Sequence, residues 1–493
     1  MLLWMVTPSA PVQAAAFLPP GHPAATWVEG WSARGVLPPP LPGDGPLTWD
    51  RVADLLDSAR PATDVDRERL NALRQEAQRH LSPRGYLTAT TAGGVVRGAP
   101  AGYPLPPLPA VGNGPGPIPG SGSGSGQIQR RPRGGDLGLG AERSAGRLTW
   151  VARPHLPLGQ RSAGNPGLQE GYVALRVKGL RLSAGRQPLL WGHGPHGGLL
   201  LSDNAPPPAS LRISPWRPHR FSGAARRLGT AGFTLFVARL EGGREIPHPL
   251  LAGLRIGWSP HPRVEVGLAR TVMAGGRGHS LNGHDWLKIL SGRNLAAGVD
   301  TSNSLAGVDL ALTLPAGATR ALRLYGEYSG EDEAGGWPTR PALRGGILLA
   351  GLGAAADVAL RAEFAATDVL RPAPAGGVWY RHGIYTSGHT YRGRILGAAL
   401  GPDARQARLE WARQRAHATL EGGLTWLVSG FSTATPERHG AATAAWRVRA
   451  AGPTTGAWPV EWCMATAVGR ARRAIDNGWE GGVEVTATWN LSP

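Results

Sequence analysis

Residues 321–328 read ALRLYGEY, and this stretch decides which fold the sequence predicts. Successive side chains of a β-strand point to opposite faces, so a strict alternation of side-chain types separates two environments. The apolar set is Leu322, Leu324 and Tyr328, and the opposite set is Arg323, Tyr325 and Glu327. We therefore predict a strand with one face against apolar surroundings and the other against polar ones.

The same alternation recurs along the rest of the chain. It is present in LRIGW (254–258), VEVGLAR (264–270), DVALRAEF (357–364) and VEVTATWNL (483–491). Roughly 16 to 18 segments of about 8 to 11 residues follow this pattern, separated by turns rich in Gly, Pro, Asn and Asp. That number and length are typical of the tilted strands of a transmembrane antiparallel β-barrel.

A soluble β-sandwich stays the alternative, because its strands also alternate and carry their charges outward. The barrel is favoured by the number of strands and by Arg and Glu on the polar faces of consecutive strands, as in a wet lumen. The lone Cys463 cannot form a disulfide within the chain or a cysteine-based metal site. No run of 18 apolar residues occurs, which excludes a transmembrane helix from the prediction.

The composition indicates a turn-rich chain with an excess of positive charge. The 493 residues include 73 Gly and 45 Pro, and the formal net charge is +18. Lysine occurs only at Lys178 and Lys288, so arginine supplies nearly all of the positive charge. The excess favours polyanionic partners, namely acidic polysaccharide or lipopolysaccharide phosphates, and no nucleic-acid module is recognisable. The alternative is that the arginines are spread over solvated faces.

The N-terminal third divides into three predicted regions. Residues 1–16 predict a signal peptide, with a cleavage pattern at Val12-Gln13-Ala14. Residues 17–84 predict three helices, the second capped by Thr48 and the third by Asp64. Residues 85–145 predict a linker rich in Gly, Pro and Arg, and the barrel is predicted over residues 146–493.

The helical module contains the segments ATWVEGWSARGVLP and PLTWDRVADLL. Their order resembles a degenerate S-layer-homology-like module, which in that family holds cell-wall polymer on the periplasmic side. The resemblance implies a periplasmic module with the same kind of partner. A small helical bundle or plug is the alternative.

Two stretches interrupt the alternation, GRQPLLWGHGPHGGLLLSDNA (185–205) and YRHGIYTSGHTYRGRILG (380–397). Each concentrates Gly, His, aromatic and Arg residues, as functional loops on a rigid sheet do. Aromatic rings stack on sugars, and guanidinium groups bind carboxylates or phosphates in bidentate fashion. The glycan-binding candidates are Arg186, Trp191, His193, His196, Tyr380, Arg381, His382, Tyr385, Tyr391, Arg392 and Arg394. The alternatives are loop packing or an aromatic girdle for the rings, and pairing with the lumen acids Glu327 and Glu363 for the arginines.

The sequence contains only weak indications of a catalytic or metal site. The histidines of HGPH (193–196) lie in a flexible Gly-Pro loop, which is a poor platform for a metal. The acids Glu331, Asp332 and Glu333 are consecutive in a Gly-rich turn, which is typical of a solvated loop. We therefore predict no catalytic residues, no metal and no cofactor.

Four motifs in a fixed order resemble the outer-membrane capsule assembly (Wzi-type) barrel family. They are LQEGYVALRVKGLRLSAGRQPLLWGHGPHGGLLLSDNAPP, ARLEGGREIPHPLLAGLRIGWSPHPRVEVGLART, LYGEYSGEDEAGG and YRHGIYTSGHTYRGRILGAALGPDA. The resemblance implies a barrel of about 18 strands in the outer membrane. It also implies a lectin-like anchor that binds and retains capsular or exopolysaccharide and is not an enzyme. A porin or sugar-uptake channel is the second hypothesis, and a polysaccharide-modifying enzyme is the third.

Overall fold

The chain forms a barrel that encloses a small helical unit. The computed structural model describes residues 16–18, 22–40, 46–82, 84–97, 134–158, 167–290, 302–317, 319–334, 337–368, 379–415, 418–430, 437–450, 460–472 and 477–490. Over these residues the helices are α1 (Pro23–Ala33), α2 (Trp49–Asp57), α3 (Asp64–Leu81), a 3-10 helix η1 (Gly223–Leu228) and α4 (Gly283–Leu290).

The strands account for most of the described chain. They are β1 (Arg84–Arg97), β2 (Gly134–Ala145), β3 (Leu148–Leu158), β4 (Gly167–Val177), β5 (Leu180–Arg186), β6 (Ala209–Pro215), β7 (His219–Arg220), β8 (Thr230–Arg239), β9 (Leu250–His261), β10 (Val264–Ala274), β11 (Ser302–Pro315), β12 (Ala321–Ala334), β13 (Trp337–Leu352), β14 (Val358–Ala366), β15 (Thr390–Tyr391), β16 (Arg394–Ile395), β17 (Ala404–Gln414), β18 (Ala418–Ser429), β19 (Glu437–Ala450), β20 (Val460–Arg472) and β21 (Asn477–Asn490).

Capping side chains begin two of the helices. His22 precedes α1 and accepts a hydrogen bond from the Ala24 N–H, and a proline occupies the first turn. Thr63 begins α3 by accepting from the Asp66 N–H. The predicted cap at Asp64 is therefore wrong by one residue, since Asp64 lies inside the helix and places an acid in its first turn.

The strands pair antiparallel and close on themselves. Among the described residues one sheet contains 19 strands, of which β7 has only two residues. The first strand pairs with the last, with Ala89 opposite Ala487. Because both edges of the sheet pair with each other, no strand edge is left open, and the barrel prediction is confirmed over the sandwich. The short strands β15 and β16 form a separate pair within one loop.

The two faces of the barrel wall differ in polarity. On β9, Leu254, Ile256 and Trp258 point outward and are exposed, whereas Arg255 and Ser259 point inward and are buried. Other exposed outward residues are Leu175, Leu211, Leu235, Leu268, Leu310, Phe364, Leu409 and Leu424, and other buried inward residues are Glu170, Arg181, Arg212, Glu265, Asp309, Arg344 and Arg361. An apolar outer surface around a polar lumen is the arrangement of a membrane barrel.

The predicted linker is shorter than residues 85–145. Strands β1 and β2 lie within this range and pair with each other, for example Leu87 with Leu139. The barrel therefore begins at Arg84, and the prediction that it begins at residue 146 is wrong. The predicted signal peptide, apart from Ala16, and residues 98–133 lie outside the described residues, as do the side chains of 483–491.

The two ends of the barrel differ in the length of their connections. One end has short connections, such as residues 146–147, 178–179 and 262–263. The other end has long ones, including residues 187–208 and 367–403. In membrane barrels short turns face the periplasm and long loops face the exterior. Among the described residues no helix is long and apolar enough to cross a membrane.

The outward apolar face predicts how the barrel tolerates charge. We expect Leu254→Arg, in the middle of β9, to destabilise the barrel by about 2–4 kcal/mol, because the guanidinium would lie in hydrocarbon. Leu314→Arg, near the end of β11, is expected to cost about 0–1 kcal/mol. The two leucines are matched, with 43% and 39% of their surface exposed. Urea unfolding in lipid vesicles measures both, and equal losses would contradict the assigned lipid face.

Candidate functional site

A helical plug (described residues 16–18, 22–40 and 46–82) lies inside the barrel at the short-connection end. Glu29 of α1 lies 2.5 Å from the Arg361 guanidinium on β14 and 3.5 Å from Arg323 on β12. Asp50 of α2 lies 3.1 Å from Arg181 on β5. These are charge pairs between the plug and the inner wall, so the helices belong to the lumen, in agreement with the plug alternative.

Further contacts link the plug to other parts of the wall. The Tyr172 hydroxyl on β4 accepts a hydrogen bond of 2.8 Å from the Phe17 N–H. On α3, the His80 imidazole lies 2.6 Å from Glu142 on β2. Attachment to strands on several sides explains why the aromatic residues of the plug are buried, including Trp31 and Trp49.

Loop A (residues 187–208) enters the lumen from the long-connection end. The Leu199 N–H donates to both carboxylate oxygens of Glu327 at 3.0 Å. The His193 carbonyl accepts a hydrogen bond of 2.7 Å from Arg344. His193 also lies 2.9 Å from Asp309 through its Nε2 atom. The loop is therefore held by charged side chains of the inner wall.

Loop A and the plug meet at one side chain. The Arg323 Nη2 atom lies 3.2 Å from His193 Nδ1 of loop A, and Arg323 Nε lies 3.5 Å from Glu29 of the plug. Arg323 also donates to Glu265 of the wall at 2.8 and 3.0 Å. The lumen is thus occupied from both ends, and the two occupants share a buried arginine.

Loop B (residues 379–403) covers loop A through backbone and side-chain hydrogen bonds. The Tyr380 hydroxyl donates to the Leu199 carbonyl at 2.6 Å, and the His389 Nε2–H donates to the Leu200 carbonyl at 2.9 Å. The Ser202 N–H donates to Leu396 at 2.8 Å. The two sequence stretches that interrupt the alternation therefore form one compact unit.

The four aromatic candidates hold this unit together. Trp191, Tyr380, Tyr385 and Tyr391 are all buried, with at most 4% of their surface exposed. Trp191 packs at 5.4 Å from Phe236 of the wall, and the rings of the tyrosines lie in the same apolar cluster. Enclosed rings present no face to a sugar in this conformation, so the geometry fits the alternative of loop packing. Sugar stacking by these rings stays a prediction.

The arginine candidates separate into two groups. Arg186 donates to the Leu168 carbonyl of β4 at 2.7 Å and so braces the wall, and the buried Arg394 donates to the Asn204 carbonyl of loop A at 3.1 Å and so braces the loops. Arg381 and Arg392 are exposed. Only this second pair is placed to meet a ligand from solution without rearrangement.

The histidine candidates have different roles. His193 lies in the lumen, and His382 accepts hydrogen bonds from the Ile384 and Tyr385 N–H groups at 3.2 and 3.1 Å. His196 lies 2.8 Å from Asp203. Burial alone would lower the pKa of His196, but the Asp203 carboxylate and its hydrogen bond raise it. His196 therefore stabilises loop A best as the imidazolium ion.

The structure adds basic residues that the sequence analysis missed. Arg277 and His279, in the connection after β10, are exposed. This connection joins loop B, because Tyr385 donates to the Gly275 carbonyl at 3.0 Å and its ring lies 6.5 Å from that of His279. The MAGGRGHS segment carries a Gly-rich basic signal similar to that of the two selected stretches. Its proximity to loop B could not be read from the sequence.

We define the basic rim as the exposed or half-exposed side chains Arg277, His279, Arg381, His382 and Arg392 at the long-connection end. The connection between β8 and β9 supports it, since Glu241 accepts from the Arg392 N–H at 3.0 Å and pairs with Arg244. Because Arg244 also donates to the Gly388 carbonyl at 2.7 Å, the loops of the rim are tied to each other. The rim is therefore a connected surface on which three exposed arginines outnumber the neighbouring acids Glu241 and Glu245.

Comparison with known proteins agrees with this architecture. The family profile "Capsule assembly protein Wzi" matches residues 123–421, more than half of the chain. The chain belongs to the Wzi capsule assembly family. Wzi of Escherichia coli superposes with a TM-score of 0.73 at 20% identity, covering 95% of this chain and 99% of that one. That protein is described as an outer-membrane, carbohydrate-binding β-barrel involved in group 1 capsule assembly.

Two further proteins match over part of the sequence or the fold. An uncharacterized 55.8 kDa protein from the cps region of Klebsiella pneumoniae is 27% identical over 183 residues, which cover 36% of this chain and 35% of that relative. The match thus spans about a third of the relative's length. OccK5 (OpdH) of Pseudomonas aeruginosa superposes with a TM-score of 0.47 at 11% identity, covering 83% of this chain and 99% of that chain. The range that matches the family profile, residues 123–421, includes loop A and loop B.

The pairing of Glu29 with Arg361 and Arg323 predicts that this carboxylate contributes strongly to holding the plug in the lumen. We expect Glu29→Gln to destabilise the plug by about 3–5 kcal/mol, because Arg361 and Arg323 would lose a buried counter-charge. Planar-bilayer recordings should then show opening events that are rare in the wild type. Asp64→Asn is the control, since Asp64 is exposed and, among the described residues, its ion pair is with the neighbouring Arg67 of the same helix. Equal conductance in all three proteins would contradict the assigned role of Glu29.

The burial of His389 predicts a pH dependence of the pairing between loops A and B. Burial lowers the pKa of the His389 imidazole to about 4. The unfolded chain binds a proton near pH 6.5, so the stabilisation is complete above that pH. The contribution of His389 to stability falls by up to about 1.4 kcal/mol per pH unit as the pH drops from about 6.5 to about 4. Hydrogen exchange of the Ser202 and Leu396 amides measures the loss.

His389→Gln should flatten this dependence, whereas His279→Gln, at an exposed position, should leave it unchanged. His196 acts in the opposite direction, because its raised pKa gives stability that is lost as the pH rises. The difference between wild type and His389→Gln therefore isolates the contribution of His389. An unchanged slope in His389→Gln would show that another group titrates.

Proposed function

We propose that this protein is a non-catalytic outer-membrane anchor that binds and retains acidic capsular or exopolysaccharide at its basic rim during capsule assembly. The observation that carries the proposal is a connected basic surface at the long-connection end of a barrel whose lumen is filled. A surface of this kind attracts a polyanion by long-range electrostatics. Membership of the Wzi family and the fold shared with Escherichia coli Wzi support the same role.

The filled lumen argues against the porin hypothesis. A channel needs a continuous aqueous path, but Arg323 lies between loop A and the plug and is buried. Opening such a path requires the separation of several charge pairs that water does not reach. An anchor needs no path, because the polymer stays at the surface.

The rim is suited to a flexible acidic polymer. Arg277, Arg381 and Arg392 are exposed, and a guanidinium can bind a uronic carboxylate in bidentate fashion. Of the candidates from the sequence, the proposal assigns sugar contact to Arg381, His382 and Arg392. Trp191, Tyr380, Tyr385, Tyr391, His193, His196 and Arg394 then position the loops, and Arg186 braces the wall.

The orientation of the chain follows from its connections. Short connections of membrane barrels face the periplasm, so we infer that the plug lies on that side and the rim faces the exterior. The apolar faces of α1, α2 and α3 are buried in one cluster that includes Val151 and Tyr172 of the barrel. Binding of cell-wall polymer to the outer side of this module stays a prediction.

Binding to an acidic polysaccharide tests the proposal. We expect the triple variant Arg277→Gln, Arg381→Gln and Arg392→Gln to lose affinity for a uronic-acid polymer by about tenfold or more. Wild-type binding should weaken as salt rises from about 0.05 M to about 0.5 M, because exposed charges are screened. Surface plasmon resonance with the full chain in detergent measures both effects. The matched control replaces Arg220, Arg226 and Arg227, at the opposite end, by Gln.

Three outcomes would contradict the proposal. Binding that is insensitive to salt and to the rim variant would place the polymer elsewhere. A large steady conductance of the wild type in planar bilayers would favour the channel hypothesis. Release of shortened or modified products from purified polymer would favour an enzyme.

A further inference from the structure

A short segment lies on the outside of the barrel at the short-connection end. The helix η1 (Gly223–Leu228) follows β7 and contacts β9. The Trp258 Nε1–H donates to the Leu228 carbonyl at 2.7 Å. Trp258 points away from the lumen, because its neighbours Gly257 and Ser259 on β9 are on the buried inner face. The segment is therefore held against the membrane-facing wall.

The segment has a defined conformation. Gly229 adopts a φ of +72°, and a Cβ atom there would collide with the backbone of Ser259 and Pro260. The Phe221 N–H donates to the Gly229 carbonyl at 3.0 Å, which closes the turn. Because only glycine tolerates this close approach and left-handed backbone, η1 is fixed next to the end of β9.

The arginine cluster, as we define it, comprises Arg220, Arg226 and Arg227 from β7 and η1 and Arg263 from the turn between β9 and β10. All four side chains are exposed. Residues 204–240 and 246–264 contain no Asp or Glu, so the strands that flank the segment offer no counter-charge on this face. By contrast, the nearby Arg217 forms two hydrogen bonds to Asp54 of the plug at 3.0 and 2.7 Å. Within the described residues no ion pair satisfies the cluster.

Exposed apolar side chains adjoin the cluster on the wall. Leu228 is 48% exposed and Trp258 is 40% exposed. Tryptophan concentrates where hydrocarbon meets headgroups, and arginine extends its guanidinium from that level into the headgroup layer. The surface therefore has an apolar part in the acyl region and a cationic part at the phosphate level.

We propose that the arginine cluster, with Leu228 and Trp258, is a binding site for anionic glycerophospholipids of the leaflet at the short-connection end. The guanidinium groups would bind the phosphate oxygens of the headgroup by charge-assisted hydrogen bonds. The acyl chains would pack against the two apolar side chains. A ligand that offers both chemistries matches this surface better than free phosphate, which has no apolar part.

The site is independent of the polysaccharide-binding proposal. It lies at the opposite end of the barrel from the basic rim and shares no residue with it. Anionic lipid bound here would set the depth of the barrel in the membrane, because each guanidinium must remain at headgroup level. Loss of lipid binding would leave the rim intact, so failure of one proposal is distinguishable from failure of the other.

Native mass spectrometry of the full chain in detergent tests the site. With added phosphatidylglycerol we expect retention of bound lipid at least fivefold above retention of phosphatidylcholine. Each basic residue near an anionic membrane surface contributes about fivefold to the affinity. The triple variant Arg220→Gln, Arg226→Gln and Arg227→Gln should therefore lose about a hundredfold in phosphatidylglycerol retention, since the three losses of about fivefold multiply.

The rim variant Arg277→Gln, Arg381→Gln and Arg392→Gln is the matched control and should retain the lipid like the wild type. Trp258→Phe keeps an aromatic ring but removes the indole N–H that donates to the Leu228 carbonyl. It should weaken the retention of phosphatidylglycerol without removing any charge. Heat-modifiable gel mobility verifies that each variant is folded. Equal retention by the wild type and the triple variant, or an equal loss in the rim variant, would overturn the proposal.

Competition experiments identify the source of the phosphate chemistry. Inorganic phosphate or purified lipopolysaccharide, added at the same phosphate concentration, should displace less than a tenth of the bound phosphatidylglycerol. Full displacement by inorganic phosphate would reduce the site to a nonspecific anion surface and overturn the lipid assignment. Full displacement by lipopolysaccharide would assign the cluster to the opposite leaflet and contradict the proposed site.

Discussion

The ion pairs of Arg323 are the constraint on which the interior of this protein depends. Its guanidinium contacts Glu29 of the plug, Glu265 of the wall and His193 of loop A. A buried charge is tolerated only when partners replace water, so the arginine requires elements that come from three distant parts of the chain. The plug and loop A are thereby linked, and the filled lumen follows from satisfying charges as much as from packing apolar groups.

The outer surface of the barrel is apolar, in contrast to the charged interior. Lipid offers no hydrogen-bond partners, so every strand must pair on both sides and present apolar side chains outward. The outer face of the wall carries apolar side chains, and exposed positive charge lies at the two ends of the barrel. It forms the basic rim among the long loops and the arginine cluster beside Trp258. We propose that this closed barrel acts as an anchor, because the two basic surfaces at its ends are accessible to ligands that stay outside the lumen.

Local patterns predicted much of this architecture. The alternation around Arg323 and Glu363 assigned both residues to the polar face, and both point into the lumen. The same reasoning missed β1 and β2, because they adjoin a Gly-, Pro- and Arg-rich stretch whose composition predicts a linker over residues 85–145. Backbone pairing with neighbours on both sides holds such strands regardless of their side chains, and this pairing is not visible in a local window.

The sequence by itself determined that successive side chains of each strand face an apolar and a polar environment in turn, and that two Gly-rich stretches interrupt this alternation. The tertiary structure alone decided that Trp191 and Tyr380 support the loops whereas Arg381 and Arg392 face solution. The physical reason is the distance along the chain between the residues that decide each feature. The alternation depends on the identities of adjacent residues. The burial of a loop side chain depends on contacts such as that of Tyr380 with Leu199, which lie 181 residues apart.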